Sequence, residues 1–299
     1  MSGPRRAGSD APYLAMLAPW TFCLVLFVAL PLISVAGLSF CRWDMFGAPV
    51  WVGLSNYREI FMSDDRFIQS VKVTFLYTAM YVPTEVVGGL GIGLLLHHIA
   101  EGATGRLRGV AVGAVRAAVY LPTVLSGVAL SLVGMWLFQP GTGLVNGVLA
   151  AFGVTGPRWL LDPRVALFTL FLMSLWGLGR AAFLVLAARQ MVPTSVYEAA
   201  LIDGAGPVAI FSRITLPELM PTLTFSFVLG TAATLQSFTG AYVATAGGPL
   251  GATMFIVLYL YEKAFHELQF GYAAALSMIV FAVSLGISVL LARLTEERT

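Results

Sequence analysis

"EAALIDGAGPVAIFSRITLPELMP" occupies Glu198 to Pro221, between two long apolar runs. A charged, helix-forming stretch that breaks at Asp203-Gly204 and resumes at Gly206-Pro207 is an odd insertion in so hydrophobic a chain. Its local order can be read residue by residue. Ser195 and Glu198 have capping-box spacing, in which the hydroxyl accepts from one backbone N–H and the carboxylate reaches back to another. Val196 to Asp203 then makes about two helical turns, and Gly204 supplies the stop. Gly206-Pro207 restarts a helix with proline in the first turn, where its missing N–H is harmless. That second helix is expected to run through Phe211 and Ile214 until Pro217 ends it. Two short helices alone in water are unstable. Tyr197, Leu201, Ile202, Ile210, Phe211 and Ile214 therefore need a surface, on their own chain or on a partner. Ala199 and Ala200 are small enough to let a partner approach the backbone. Glu198 serves the capping box alone or a docking contact as well. Asp203 reads as a turn residue beside glycine, although an anion at a helix C-terminus is disfavoured by the dipole.

The surroundings of this stretch are a membrane protein. Of 299 residues, 58% are hydrophobic and 11% charged, against roughly 25% charged in soluble domains. So few charges do not cover a water-facing surface. The apolar runs are near-continuous rather than alternating, which selects helical spans over a barrel. A formal net charge of +2 gives no reason to expect nucleic acid. The two cysteines, Cys23 and Cys41, read as small packing residues rather than a disulfide, since Cys23 lies inside an apolar run. The first run is too long for a signal-peptide core and no small-x-small site follows it, so no cleavable signal peptide is expected.

A spanning helix needs about 20 mostly apolar residues. Six runs qualify: Tyr13–Phe40, Val71–Leu96, Val112–Phe138, Val165–Ala188, a weaker Thr- and Ser-rich Thr222–Thr239, and Tyr272–Leu294. "TMFIVLYLYEKAF" (Thr253–Phe265) is apolar but too short to span, so it belongs at the outer interface or against the bundle mouth. The expected fold is thus all-α: a polytopic bundle of six transmembrane helices, residues 13–294, with a cytoplasmic loop at 189–221 and short cytoplasmic tails at 1–12 and 295–299. Nine basic residues fall on one side of the membrane (Arg5, Arg6, Arg106, Arg108, Arg116, Arg189, Arg213, Arg293, Arg298) and seven on the other (Arg42, Arg58, Arg66, Lys72, Arg158, Arg164, Lys263). The first set is assigned to the cytoplasm, which places both termini and the Glu198 loop inside.

Several chemistries are excluded. A phosphate-binding loop ends in Gly-Lys, whereas Lys72 and Lys263 do not follow glycine. A zinc-protease helix needs two histidines one turn apart; His266 has no such partner, and His97 and His98, being adjacent, face apart. No metal site is expected. "GGLGIG" (Gly88–Gly93) imitates a nucleotide fingerprint but lies mid-span with no strand before it. Close helix packing through small residues is the better reading.

The loop closely resembles the characteristic cytoplasmic loop of membrane subunits in binding-protein-dependent ABC importers. The matching positions are Glu198, Ala199, Ala200, Asp203, Gly204, Ala205, Ile214, Leu216, Pro217 and Pro221, ten at fixed offsets over 24 residues. "WVGLSNY" (Trp51–Tyr57), "LQSFTGAYVATAGGPLGAT" (Leu235–Thr253) and "GYAAALSMIVF" (Gly271–Phe281) resemble the carbohydrate-uptake branch, the maltose and glycerol-3-phosphate type. Pro207 departs from the pattern where a larger side chain is common, Thr239 where an aspartate is frequent, and "AARQMVP" differs slightly before the loop. The resemblance implies a type I importer permease in a prokaryotic inner or plasma membrane, with a coupling helix seated in a groove of a separate ATPase. The implied partners are a second homologous permease subunit, two cytoplasmic ATPase subunits that bind the ATP and Mg, and an extracytoplasmic solute-binding protein. This chain itself would bind no cofactor and hydrolyse nothing. The solute would be a sugar or a sugar-like molecule such as a glycerophosphodiester. An importer for another solute class is the alternative. A secondary transporter would need ionisable groups within the membrane, for which Glu85 and Arg180 are the only clear candidates.

Those two residues bear on the pathway. Arg180 reads as a structural ion pair with Glu85, a snorkelling side chain, or part of the pathway wall. Gln236 and Phe238 end the fifth span, where the resemblance implies a solute-facing wall, and Tyr242 follows. An amide and an aromatic ring suit a polyol's hydroxyls and apolar face. Trp176, one turn from Arg180, is a packing residue or a second stacking surface.

Overall fold

The apolar runs do fold as helices, and the only sheet among the described residues is a two-residue pairing of Cys41–Arg42 with Val50–Trp51. The computed structural model describes residues 11–101 and 106–296. The expectations for residues 1–10 and 297–299, including Arg5, Arg6 and Arg298, lie outside them. Four helical segments are long and apolar enough to cross a bilayer: Met16–Leu38, Asp65–Ala100, Ala166–Met191 and Phe270–Leu290. These are the first, second, fourth and sixth runs. The fifth run is the Leu216–Leu235 helix, long enough at about 30 Å but diluted by threonine.

The third run departs from expectation. Instead of one helix over Val112–Phe138, the chain forms Arg106–Val124 and Gly127–Leu137, bent by 105° at a short break. Pro122 and Ser126 explain the break. Proline withdraws a backbone donor near the end of the first piece. Ser126 takes an extended conformation and its hydroxyl accepts from the Ala129 N–H at 3.2 Å, which caps a new helix.

Two π-helical turns have a common cause. Val25–Ala29 runs into Leu30-Pro31, and Phe211–Thr215 runs into Leu216-Pro217. Proline offers no N–H to the carbonyl four residues back, and its ring crowds that carbonyl. Widening the preceding turn by one residue lets the helix pass the proline unbroken. Pro217 therefore does not end the second loop helix, as the sequence implied. The helix begun at Pro207 continues into the fifth span.

The chain divides into two compact units. The first comprises residues up to Ser63 together with Tyr261–Ile279. Within it, "WVGLSNY" has a structural task. The Asn56 amide donates to the carbonyls of Ser39 and Cys41 at 2.8 and 3.0 Å, and the Tyr57 hydroxyl donates to Ser39 at 2.8 Å. These bonds tie the Ser55–Met62 helix back to the end of the first helix and the first strand of the hairpin. Cys23 and Cys41 are free thiols.

The second unit comprises Asp64–Leu260 with the chain from Val280 onward, and it holds every candidate site residue. Its centre is the Asp65–Glu101 helix packed on Leu178–Met191 and Leu216–Leu235. Val185, Leu219 and Leu223 form a buried cluster flanked by Val86, Leu90 and Leu94. Between helices in lipid the hydrophobic effect gives little drive, so close backbone approach matters most. The Gly88–Gly93 run provides it. A Cβ on Gly89 would lie 2.5 Å from the Ala181 Cβ, and one on Gly93 would lie 2.7 Å from the Ala182 carbonyl. Gly91 faces open space. Gly93→Leu is accordingly expected to lower the yield of monodisperse protein and its thermal midpoint, through an overpacking cost of about 1–3 kcal/mol or more. Gly91→Leu, two residues away, should leave both unchanged.

The short apolar segment after the fifth span packs inward. Phe255, Leu258 and Tyr259 are each 1% exposed. The Phe255 ring meets Tyr77 edge-on at 4.9 Å, Ile256 N–H donates to Thr74 at 3.0 Å, and the Tyr259 hydroxyl donates to Asp64 at 2.6 Å. Of the two places the sequence allowed, its residues up to Leu260 take the one against the bundle.

Candidate functional site

The loop begins with Thr194–Ile202, a helix whose N-cap is Pro193 and which has no side-chain capping bond. The expected capping box is not formed. Pro193, held near φ −59° and ψ 135°, starts the helix at Thr194. Ser195 thus becomes an interior position from which its hydroxyl cannot cap. Glu198 is exposed and makes no hydrogen bond or ion pair among the described residues.

The C-terminal end follows the sequence closely. Gly204 has φ +74°. Its N–H donates to Leu201 O at 3.1 Å, and the Ala205 N–H donates to Ala200 O at 2.9 Å. These two bonds constitute a Schellman stop, which glycine permits because positive φ costs it nothing. Asp203 is the exposed C-cap residue.

No residue of Thr194–Ile202 is buried. Ile202 is 86% exposed and, beyond the bend, Val208 is 78% exposed. One side chain, Tyr197, staples the helix to the unit. The Arg189 guanidinium lies 3.8 Å from its ring centroid, and its hydroxyl is 3.4 Å from the Thr215 hydroxyl in the π turn. Sequence reading counted Tyr197 only as an apolar residue in need of a surface. Removing the ring is expected to release the helix. Tyr197→Ala should speed amide exchange over Val196–Ala205 by about tenfold, the worth of a partly desolvated cation–π contact. Tyr197→Phe keeps the ring and should stay near wild type.

The loop positions divide by exposure. Glu198, Ala199, Asp203, Gly204 and Pro217 are exposed, while Ala200, Ala205, Ile214 and Leu216 are half-buried. Leu216 packs against the Val185–Leu219–Leu223 cluster. The first group forms an outward surface, and the half-buried ones seat it.

Of the membrane-side candidates, Arg180 and Gln236 line one cavity of the unit and Trp176 another, while Phe238 and Tyr242 line neither. The first, of about 330 Å³, is lined by Glu85, Arg180, Ser226, Leu229, Ala233 and Gln236. Arg180 Nη2 donates to Glu85 Oε1 at 3.0 Å. The carboxylate is 3% exposed and the guanidinium 58%. Arg180 is therefore an ion-pair partner of Glu85 that also lines this cavity, near the middle of the Ala166–Met191 span. The second cavity, about 240 Å³, is lined by Tyr77, Ser131, Ser174, Trp176, Ser237 and Phe255. Trp176 faces this one, apart from Arg180, because a 3₁₀ turn at Leu175–Gly177 interrupts the span. Phe238 and Tyr242 stack with ring centroids 5.0 Å apart. The Thr239–Ala244 helix after the fifth span packs on Gly127–Leu137.

One positioning residue escaped sequence reading. Gly230 lies directly against Glu85 Oε2, where any Cβ would collide with the carboxylate. No local pattern marks it, since the two residues belong to different spans.

Comparison with known proteins now identifies the class. Residues 60–296 match the family described as binding-protein-dependent transport system inner membrane component, and the chain belongs to that family. It is a multi-pass membrane transport permease. It is 34% identical to a probable ABC transporter permease, YesP of Bacillus subtilis, over 90% of this chain and 85% of that protein. It is 30% identical to the sulfoquinovosyl glycerol transport permease SmoG of Agrobacterium fabrum, over 95% and 90% of the two chains. A bacterial ABC transporter involved in import of the acidic polysaccharide alginate superposes with a TM-score of 0.80 at 25% identity, covering 97% of this chain and 96% of that one.

Proposed function

We propose that this chain forms half of the translocation pathway of an ATP-driven importer for a sugar or sugar-like solute. The observation that carries the reading is the Thr194–Ile202 helix: without a buried residue, ended by a Schellman turn at Gly204, and presenting a Glu198 that is unpaired among the described residues. A helix so bare needs a partner surface. The resemblance of this loop to that of ABC importer membrane subunits supports a cytoplasmic ATPase subunit as that partner. Relatives that carry sulfoquinovosyl glycerol and alginate support a carbohydrate-like solute. Under this reading two ATPase subunits bind ATP and Mg, a second homologous permease completes the pathway, and a solute-binding protein delivers from outside. The chain resides in a prokaryotic inner or plasma membrane with both termini and the loop in the cytoplasm.

The mechanism is a linkage. ATP binding closes the ATPase pair, and the docked helices move with it as rigid bodies. Tyr197 and the continuous Pro207–Leu235 helix pass that displacement into the bundle, which shifts between inward- and outward-open populations. Gln236, at the far end of that helix, together with Arg180, Phe238, Tyr242 and Trp176, would line the route.

The deciding experiment is solute uptake with the partner ATPase deleted. An importer stops, whereas a secondary transporter continues. The wall assignment has its own check, in a background lacking Cys23 and Cys41. Gln236→Cys and Arg180→Cys should label with a membrane-impermeant thiol reagent in at least one of the two states, and Gln236→Ala should lower uptake severalfold. Absence of labelling at both positions, with Gln236→Ala at full uptake, removes these residues from the route.

A further inference from the structure

We propose that the cavity beside Arg180 is an anion-recognition subsite, and that the transported solute carries a carboxylate, sulfonate or phosphate group held there by the guanidinium. The asymmetry of the Glu85–Arg180 pair carries the inference. Its acidic end is sealed, with the carboxylate 3% exposed, and its basic end is open, with the guanidinium 58% exposed. Glu85 Oε2 is packed against Gly230 and has no hydrogen-bond partner among the described residues. It is turned away from any occupant of the cavity. The pair is neutral as a whole, yet its positive end faces the space.

The guanidinium is held by one edge only. A single Nη2–Oε1 bond of 3.0 Å leaves most of its five N–H donors uncommitted. Arginine's planar fork matches an oxyanion with two parallel bonds. Glu85 makes the arrangement tolerable within the membrane, where a lone charge is costly and paired ones persist. The rest of the wall agrees. Apart from Glu85 it contains no acid, it offers the Gln236 amide, and small residues such as Ala233 leave about 330 Å³ free. A neutral polyol would need acceptors as well as donors, and the one strong acceptor, the free Glu85 oxygen, is sealed off. That the occupant is the transported solute rests on the importer reading; the anion preference of the cavity does not.

The test reads local potential in the purified full chain, in nanodiscs that leave both faces open. A reporter cysteine replaces Ala233, an exposed residue of this wall, in a background lacking Cys23 and Cys41. Its modification rates with the anionic sulfonatoethyl and the cationic trimethylammonioethyl methanethiosulfonates are taken as a ratio, normalised to the same ratio for 2-mercaptoethanol. Any change in thiol acidity cancels in that ratio. The expected ratio favours the anionic reagent by about tenfold, as a unit charge several ångströms away in a half-polar medium would give. Glu85→Gln should raise it, and Arg180→Lys should keep most of it. Arg180→Gln leaves a buried carboxylate unpaired and threatens folding, so the double variant Glu85→Gln/Arg180→Gln is measured beside it and should abolish the preference. D-glucuronate should slow labelling, while D-glucose at the same concentration should not. A normalised ratio at or below one, a ratio unchanged in the double variant, equal slowing by the two sugars, or a thiol closed to both reagents overturns the proposal. Uptake that survives ATPase deletion overturns the importer reading instead and leaves the ratio untouched.

Discussion

Glu198→Lys is expected to reduce transport at least about a hundredfold while the subunit still inserts and folds. The side chain is exposed and bonds to nothing among the described residues, so reversing its charge disturbs no internal contact. Its effect is exerted on whatever docks there. Like-charge contact at an interface strongly suppresses association, and charge complementarity fixes register. Because the helix starts at Thr194 without a capping box, Glu198→Ala removes no cap, and alanine is the better helix former. A fall in transport with Glu198→Ala therefore reads docking alone. The measurement is binding-protein-stimulated ATP hydrolysis and uptake in membranes, with subunit quantity followed by immunoblot. Normal uptake by an assembled Glu198→Lys variant would remove Glu198 from the docking surface.

Gly204→Val should uncouple the transporter, lowering uptake by more than about tenfold and leaving subunit quantity near normal. No atom lies within 4 Å of a Cβ built there, so the effect is one of backbone rather than packing. At φ +74° a β-branched residue is a genuine outlier, and the left-handed region costs an ordinary L-residue about 1–2 kcal/mol. The chain would escape by leaving the Schellman geometry, losing the Gly204–Leu201 and Ala205–Ala200 bonds and redirecting the helix that begins at Pro207. Asparagine tolerates positive φ, so Gly204→Asn should keep most of the transport. ATP hydrolysis that continues in Gly204→Val without solute movement is the expected signature. Full transport by that variant would show that the bend is not needed.

The two substitutions differ in how far the sequence foretold them. Gly204 was legible, because a glycine just after a helical octet and two residues before Gly-Pro admits few local structures, and positive φ is a property of one residue. Glu198 was legible as a candidate only. Its spacing from Ser195 offered a purely local explanation, and that explanation disappeared when Pro193 claimed the helix start. Pro217 was misread for a related reason. A proline after a helical run stops a short helix in isolation, but here the Leu219–Leu223 side of the helix is held by Val185 and its neighbours. Packing makes a widened turn less costly than a break.

Hydropathy and periodicity by themselves determined that this chain is a helical membrane bundle, where most of its spans lie, and that a surface loop interrupts them. These are properties of consecutive residues and the bilayer's thickness. Motif spacing likewise marked the loop's helix, stop and restart. The tertiary structure decided what depends on residues far apart in the chain. It bent the third run at Ser126 by 105°, sent Trp176 and Arg180 to different cavities, and stapled the bare helix through Arg189, Tyr197 and Thr215. It also sealed one oxygen of Glu85 against Gly230 while leaving Arg180 open. The orientation of an ion pair is set by which backbone can approach which side chain, and that approach exists only once the spans have packed.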